Sequence, residues 1–220
     1  MFGLLNKKPL AIKKPDDESF RRGFMAQLPN ETSVEYIMDL WRKHPFSFKV
    51  AGSRKTCLGN YIFKNGRHYI SVNGDSNPYS FLITLVHEIA HQHVKINQGL
   101  FKRMPEPHGN EWKLHFKMLM GPLLKGSVFP NDILEVLIPH MRNPAASSTR
   151  DHALVKVLAK YSHTKEETGV YLADIDDGNV FSFKGRKFKK LYNRRTRILA
   201  ECVDTKNRYT IPGIAQVEVE

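Results

Sequence analysis

The sequence predicts an α+β protein, in which helices surround a small mixed sheet and a small antiparallel β module follows. Apolar residues recur at spacings of three and four in several segments before residue 165, which is the period of amphipathic helices. Within that part, an Asn65-Gly66 pair between two alternating segments indicates a hairpin turn. From Gly169 onward, turn residues separate several short β-like segments. The two kinds of pattern occupy different parts of the chain.

Each element has its own local signal. Residues 1–29 are rich in Lys, Pro and Asp, which predicts a poorly ordered polar arm. Asn77 suits a helix N-cap and Pro78 suits the first helical position, so a helix is expected to begin there. The predicted helices cover residues 31–44, 78–94, 129–141 and 151–161, with a further helical pattern after Trp112. The predicted strands cover residues 46–50, 58–64, 68–72, 180–183, 187–192, 198–203, 208–211 and 215–219.

The strongest chemical signal is the segment His87-Glu88-Ile89-Ala90-His91. On a helix of about 3.6 residues per turn, His87 and His91 lie on the same side and can share one Zn²⁺. Glu88 lies next to the first histidine, where its carboxylate can take a proton from metal-activated water. An apolar stripe on the same helix supplies its packing face, and the histidines only flank that stripe. It consists of Phe81, Leu82, Leu85, Val86, Ile89 and Ala90.

A hydrolytic zinc site usually has three protein ligands and leaves one position open for water. In astacin-like enzymes the third ligand is a histidine six residues after the second, but position 97 is Asn here. The glycine expected between them is Val94, so that class is excluded. Spacing along the chain leaves three alternatives for the third ligand, which are Glu106, His108 and Glu111.

Four motifs, in order and over about residues 30–125, resemble the SprT/Spartan family of minimal zinc metallopeptidases. They are Arg54-Lys55-Thr56-Cys57-Leu58-Gly59-Asn60-Tyr61, Ile70-Ser71-Val72-Asn73, Leu85-Val86-His87-Glu88-Ile89-Ala90-His91 and His108-Gly109-Asn110-Glu111-Trp112-Lys113. The resemblance implies a zincin-like domain in which His87, His91 and His108 hold one catalytic Zn²⁺. It also implies that Glu88 is the general base. Glu111 then becomes a solvated carboxylate on a helix face, or a group behind the metal ligands.

With that domain at residues 30–125, the rest of the chain divides into a helical extension at 126–165 and a basic, β-barrel-like module at 166–220. Better-known members of the family carry a cysteine-rich zinc ribbon after the catalytic part. Here only Cys202 is present in that region, which rules out a structural zinc site there.

Several groups receive no catalytic assignment from the sequence. The sequence does not identify the residue that stabilises the oxyanion. Arg54 and Tyr61 are candidates because they lie in the motif region, but a structural role is expected for each. His93 is two residues past His91 and is expected to face away from the metal. The remaining histidines have no partner spacing and are expected to be surface or core residues: His44, His68, His115, His140, His152 and His163.

Charge adds a second functional hypothesis. The formal net charge is +12, and residues 184–197 hold eight basic residues and no acidic one. A hairpin that displays them, with Phe188 and Tyr192 interleaved, would follow a phosphate backbone and stack on bases. The alternative is a solvated basic edge that prevents strand pairing. The expected nucleic-acid contacts are Lys184, Arg186, Lys187, Lys189, Lys190, Arg194, Arg195 and Arg197.

The cysteines and the apolar segments of the sequence predict the cellular compartment. Only two cysteines, Cys57 and Cys202, are present, and they lie far apart in the chain, as expected for a reducing compartment. The first residues lack the pattern of a signal peptide, and no segment has the length of a membrane span. The sequence therefore predicts a cytoplasmic protein without a membrane partner.

Two functions compete, and a third possibility is a peptidase that acts on ordinary proteins while its basic tail serves another partner. The first is a zinc endopeptidase that acts on a protein or peptide substrate, and the resemblance implies digestion of DNA-associated proteins, as in DNA–protein crosslink repair. The second is a nucleic-acid- or protein-binding adaptor with a structural or vestigial zinc site. The presence of Glu88 favours the peptidase, because a structural site has no use for a base.

Overall fold

The computed structural model describes residues 17–54, 57–98, 105–145, 151–162 and 169–220. It confirms the predicted α+β class. The helices are α1 (Asp17–Met25), α2 (Glu31–Lys43), α3 (Pro78–Asn97), α4 (Asn110–Met120), α5 (Asn131–Arg142) and α6 (His152–Ala159), with a 3-10 turn at Gly121–Leu123. The strands are β1 (Ser47–Ala51), β2 (Gly59–Lys64), β3 (Arg67–Asn73), β4 (Val170–Tyr171), β5 (Val180–Phe183), β6 (Arg186–Arg194), β7 (Arg197–Cys202), β8 (Arg208–Pro212) and β9 (Gln216–Val219).

The first sheet is small and mixed. Its strand order is β1-β3-β2, with β1 parallel and β2 antiparallel to β3. The turn between β2 and β3 uses Asn65 and Gly66, both with positive φ (53° and 72°), as the Asn-Gly signal predicts. Helix α3 packs against β2 and β3 on one side and against α4 on another. The motif helix is thus held between the sheet and the next helix.

Helix α3 begins as predicted. The Asn77 side chain accepts a hydrogen bond from the Ser80 N–H (2.9 Å), and Pro78 occupies the first turn. The Asn77 amide also donates to the Leu158 carbonyl (2.9 Å), which ties the start of α3 to α6. The predicted apolar stripe is fully buried. Among the described residues, one core runs from Phe24 to Leu158, so α5 and α6 pack on the same core as α3.

The prediction of a poorly ordered arm through residue 29 is wrong for its second half. Helix α1 buries Phe24 completely, and the Phe20 ring stacks on Trp41 with centroids 4.3 Å apart. These two phenylalanines are four residues apart and share one helix face. The polar average composition of the segment hid that pair. Residues 1–16 lie outside the described residues.

The second sheet is antiparallel, with strand order β4-β9-β5-β6-β7-β8. Its strands match the five predicted ones and add β4, a two-residue strand paired with β9. Within the described residues, β4 and β8 are the two ends of this ladder, so the sheet is open rather than a closed barrel. A separate core, which includes Phe181, Phe188 and Ile198, lies on one of its faces. The domain boundaries predicted at 125/126 and 165/166 stay predictions.

Candidate metal centre

Three histidines converge on one point. His87 and His91 lie one turn apart on α3, and His108 is separated from the start of α4 by the N-cap residue Gly109. The Nε2 atoms of His87 and His108 are 3.0 Å apart, as are those of His91 and His108, and those of His87 and His91 are 3.2 Å apart. Among the described residues this is the one group of His, Cys, Asp or Glu side chains with the proximity of a metal site. The structure thus brings together the three predicted ligands.

The spacing of the three nitrogens suits zinc. Tetrahedral zinc with Zn–N bonds of about 2.0–2.1 Å places its nitrogen ligands about 3.3–3.4 Å apart. The observed separations of 3.0–3.2 Å are close to that value. Burial, followed by the charges of His91 and His108, lowers the pKa of His87 to about 2. Burial, followed by the charge of His108, lowers the pKa of His91 to about 4. Both rings therefore stay neutral at physiological pH, as metal ligation requires.

The backbone at the third ligand is unusual. His108 has a positive φ of 59°, a conformation that non-glycine residues rarely adopt. Gly109 follows it as the N-cap of α4, and a Cβ there would approach the Glu106 carbonyl oxygen to 2.9 Å. The sharp turn at these two residues directs the imidazole back toward α3. This explains why the motif pairs a histidine with a glycine.

Trp112 is the common support of the three rings. It is 1% exposed, and its ring centroid lies 4.5 Å from His87, 4.8 Å from His108 and 5.7 Å from His91. Its indole N–H also donates to the His87 carbonyl (3.4 Å). A large rigid ring in this position restricts the rotamers of the ligands before any metal binds. Trp112 is part of a sequence motif, but the motif alone predicts no role for it.

Glu88 lines the same cavity as the three histidines. It is 6% exposed, and burial raises its pKa to about 8, although the charge of Arg54 opposes the rise. A bound dication would favour its carboxylate form. Gly59 of β2 lies directly against it, since an added Cβ would be 2.5 Å from Glu88 Oε1. The backbone of β2 therefore forms the wall beside the predicted base, a role that the sequence analysis did not assign to Gly59.

Arg54 holds the segment that precedes β2. Its guanidinium donates to the Asn73 side-chain oxygen (2.7 Å) and to the Ser71 hydroxyl (3.1 Å). Asn73 is 1% exposed, and its amide donates to the carbonyls of Arg54 (3.2 Å) and Cys57 (3.1 Å). These bonds clamp the segment onto β3 and give Arg54 the structural role that was expected.

Tyr61 lies in the cavity wall, stacked against His91 at a centroid distance of 6.4 Å. Its hydroxyl is bonded to His68 Nδ1 (2.9 Å), and burial raises its pKa to about 12. The hydroxyl therefore stays neutral and is engaged with another side chain.

The structure also shows where the alternative third ligands and the remaining histidines lie. Glu106 and Glu111 are exposed, so Glu111 is the solvated carboxylate that the sequence analysis favoured. His93 packs against His44 and His115, with centroids 5.1 and 5.8 Å away, and does not join the triad. His163 and most of the connection over residues 97–107 lie outside the described residues. One histidine listed as surface or core, His140, lines the cavity of the metal centre.

The basic segment differs from its prediction in two positions. Phe188 is 4% exposed and stacks on Phe181 in the core, so it cannot stack on nucleic-acid bases. Lys190 is 2% exposed, and its ammonium donates to the Ile175 carbonyl (2.6 Å). Both side chains lie on the buried face of β6, because residues two apart on a strand share a face. Tyr192 and the other seven basic residues of the segment are exposed.

An α+β core, a His-Glu-x-x-His helix and a third histidine ahead of the next helix are together compatible with a zincin-like metal site. Residues 29–131 match the model of the SprT-like family. This match supports membership in the SprT-like family, which is associated with metallopeptidase-like function, and it confirms the resemblance predicted from the motifs. Comparisons with curated proteins and with solved structures each found no significant match.

Proposed function

We propose that the protein is a zinc-dependent endopeptidase of the SprT-like type. The observation that carries this proposal is the convergence of three Nε2 atoms within 3.0–3.2 Å in a cavity that Glu88 also lines. Three imidazole nitrogens that converge on one point form a set of lone pairs that one cation would satisfy. A buried carboxylate beside them supplies the base that a hydrolytic site needs.

His87, His91 and His108 would hold the zinc ion, which lowers the pKa of water and polarises a peptide carbonyl. Glu88 accepts a proton as the water oxygen bonds to the carbonyl carbon of the substrate. When the peptide C–N bond breaks, Glu88 returns that proton to the leaving nitrogen. Burial of this carboxylate suits a group that is protonated for part of the reaction.

The position of β2 supports an extended peptide as the substrate. This strand is at the edge of its sheet, and Gly59, Asn60 and Tyr61 line the cavity. An edge strand has unpaired backbone groups with which an extended chain can pair. A substrate paired with β2 would therefore run past Glu88 and the histidines.

The test is Glu88→Gln, which keeps the shape of the side chain and removes its basicity. We expect the zinc content to be unchanged and the cleavage of a DNA-binding protein substrate to fall by about 10²–10⁴-fold. The matched control is Glu111→Gln, which changes an exposed carboxylate near the third ligand and should stay active. An active Glu88→Gln enzyme would contradict the assignment of the base. A wild-type protein that binds zinc but cleaves nothing, with or without DNA, would favour the adaptor function.

We further propose that the second sheet contacts nucleic acid non-specifically, which would direct the peptidase toward DNA-associated proteins. Three of its exposed basic residues, Arg194, Arg195 and Arg197, cluster at the turn between β6 and β7. Lys184 and Lys189 add two exposed positive charges. Arg186 and Lys187 contribute less, because they pair with Tyr209 (3.2 Å) and Glu220 (2.7 Å) respectively.

Salt dependence tests this surface. We expect DNA affinity to fall steeply as salt rises, with a log–log slope of about −0.9 for each phosphate neutralised. The double variant Arg194→Glu with Arg195→Glu should weaken binding and flatten the slope. The variant Lys43→Glu with Lys125→Glu makes the same charge change at exposed positions outside this sheet and should bind nearly as the wild type does. No binding at low salt, or equal losses in both variants, would contradict the proposal.

We also propose a cytoplasmic location. Cys57 and Cys202 are both free thiols, as expected in a reducing compartment. In the part of the chain that the structure describes, no helix has the length and apolar character needed to span a membrane.

A further inference from the structure

His140, near the end of α5, lies in the wall of the cavity that contains the metal centre. This cavity has a volume of about 330 Å³ and is lined by residues of α3, β2 and α4 as well as by His140 and Ala145. The His140 side chain is only 4% exposed. Apart from the three metal-binding histidines, it is the one described residue of the lining that can carry a positive charge.

Asp151 fixes the orientation of the His140 ring. His140 Nδ1 lies 2.8 Å from Asp151 Oδ2, while Asp151 Oδ1 accepts a hydrogen bond from the Leu154 N–H (3.1 Å) at the start of α6. The carboxylate is thus held by the helix that it caps. With Nδ1 directed at Asp151, the nitrogen that remains for a molecule in the cavity is Nε2. An imidazolium has a hydrogen on both ring nitrogens, so His140 in that form has an Nε2–H donor in addition to its bond to Asp151.

Resting on the peptidase function proposed above, we propose that His140 is a catalytic residue and Asp151 its positioning residue. The Nε2–H group of His140 donates a hydrogen bond to the scissile carbonyl oxygen as negative charge develops on that oxygen. No bond to His140 forms, and its proton stays on Nε2 while the peptide C–N bond breaks. Donors placed where charge develops contribute about 10²–10³ to kcat.

The two donors of the motif region, Arg54 and Tyr61, are already occupied. The Arg54 guanidinium is bonded to Asn73 and Ser71, and the Tyr61 hydroxyl is bonded to His68. His140 differs from both because its partner is an acid that leaves the opposite edge of the ring for a substrate.

The alternative is that His140 and Asp151 only connect α5 to α6. His140→Ala tests this, with kcat, KM, zinc content and melting temperature measured for the full-length protein. We expect kcat to fall about 10²–10³-fold with zinc content retained and KM nearly unchanged. Added imidazole should restore part of kcat, because it can occupy the space of the lost ring. A purely structural role would not give that rescue. His115→Ala, which removes a histidine outside the cavity, is the control and should match the wild type.

Two further variants complete the test. Asp151→Asn keeps an oxygen that can cap α6 but removes the charge, so it should reduce kcat less than His140→Ala does. His140→Gln keeps an N–H donor and most of the volume, and should retain intermediate activity even if the alanine variant folds poorly. An active wild type with unchanged kcat in both His140 variants would overturn this inference alone. A wild type without any peptidase activity would instead overturn the proposed function.

Discussion

At the scale of single residues, the decisive contact in the cavity is between Gly59 and Glu88. A Cβ at position 59 would lie 2.5 Å from Glu88 Oε1 and 2.7 Å from Thr84 Cγ2. Glu88 is 6% exposed, and its Cγ would also lie 2.8 Å from the added Cβ, so the overlap involves more than the end of the side chain. A glycine within a strand commonly marks such a close backbone approach. The position of the proposed base thus depends on a residue without a side chain.

We therefore predict that Gly59→Ala displaces Glu88 or shifts β2, and that either change lowers peptidase activity strongly. The overlap should also cost about 1–3 kcal/mol of unfolding free energy, the usual range for overpacking. Urea unfolding and a peptide-cleavage assay measure the two effects. Gly52→Ala is the matched control, because an added Cβ there meets nothing within 4 Å. Equal activity in the two variants would show that the contact with Glu88 is unimportant.

Residue-level prediction succeeded where the signal was local and failed where it was not. His87 and His91 are four residues apart on one helix, so spacing alone brings them together. His108 required the family resemblance, since its approach depends on the turn at His108 and Gly109. The pairing of His140 with Asp151 joins two helices across a connection, and no periodicity in the sequence specifies it.

At the scale of elements, β6 has the predicted basic charge, but two of its side chains that were expected to be exposed are buried. The sequence correctly predicted a basic strand, but strand alternation places Phe188 and Lys190 on the buried face. A register shift between Lys190 and Tyr192 then changes the alternation, so that Tyr192 is exposed. Sequence alone did not reveal this irregularity. It also could not show that Lys190 is held inside by the Ile175 carbonyl.

Capping and turn residues made the other elements predictable. Asn77 with Pro78 and Asn65 with Gly66 set the start of α3 and the β2–β3 turn, and both signals act within a few residues. Helix α1 was missed because its stability comes from contacts with distant elements, notably the stacking of Phe20 on Trp41. A segment of nine residues is too short to be a stable helix on its own, so its helicity depends on this packing.

At the scale of the whole molecule, the described residues form two separate cores. The helical part and the part that contains the second sheet meet at α6. Lys156 forms an ion pair with Asp174, and the His152 ring lies directly against Gly213. The candidate metal centre lies against the first core, because Trp112 and Phe116, which pack on His87, belong to that core. A bound metal should therefore stabilise the first core and leave the second nearly unaffected, provided that each unfolds on its own.

The chain provides a reporter for each core, so chelation tests this prediction. Its two tryptophans, Trp41 and Trp112, lie in the first core, whereas Cys202 is buried in the second and Cys57 is exposed. Zinc at about 100 times its Kd adds about 2.7 kcal/mol of stability. Removing the zinc should lower the midpoint temperature of thermal unfolding, followed by tryptophan fluorescence, by roughly 5–10 °C for a core of this size. Cys57 reacts with a thiol reagent in the folded protein, whereas Cys202 reacts only once the second core unfolds. The temperature at which Cys202 becomes reactive should not change when zinc is removed.

Two variants are the controls. Glu88→Gln keeps all three ligands and should show the same shift of the fluorescence midpoint on chelation, while His91→Gln should show none. An unchanged fluorescence midpoint would contradict metal binding at the triad, and equal shifts of both reporters would show that the two cores unfold as one unit.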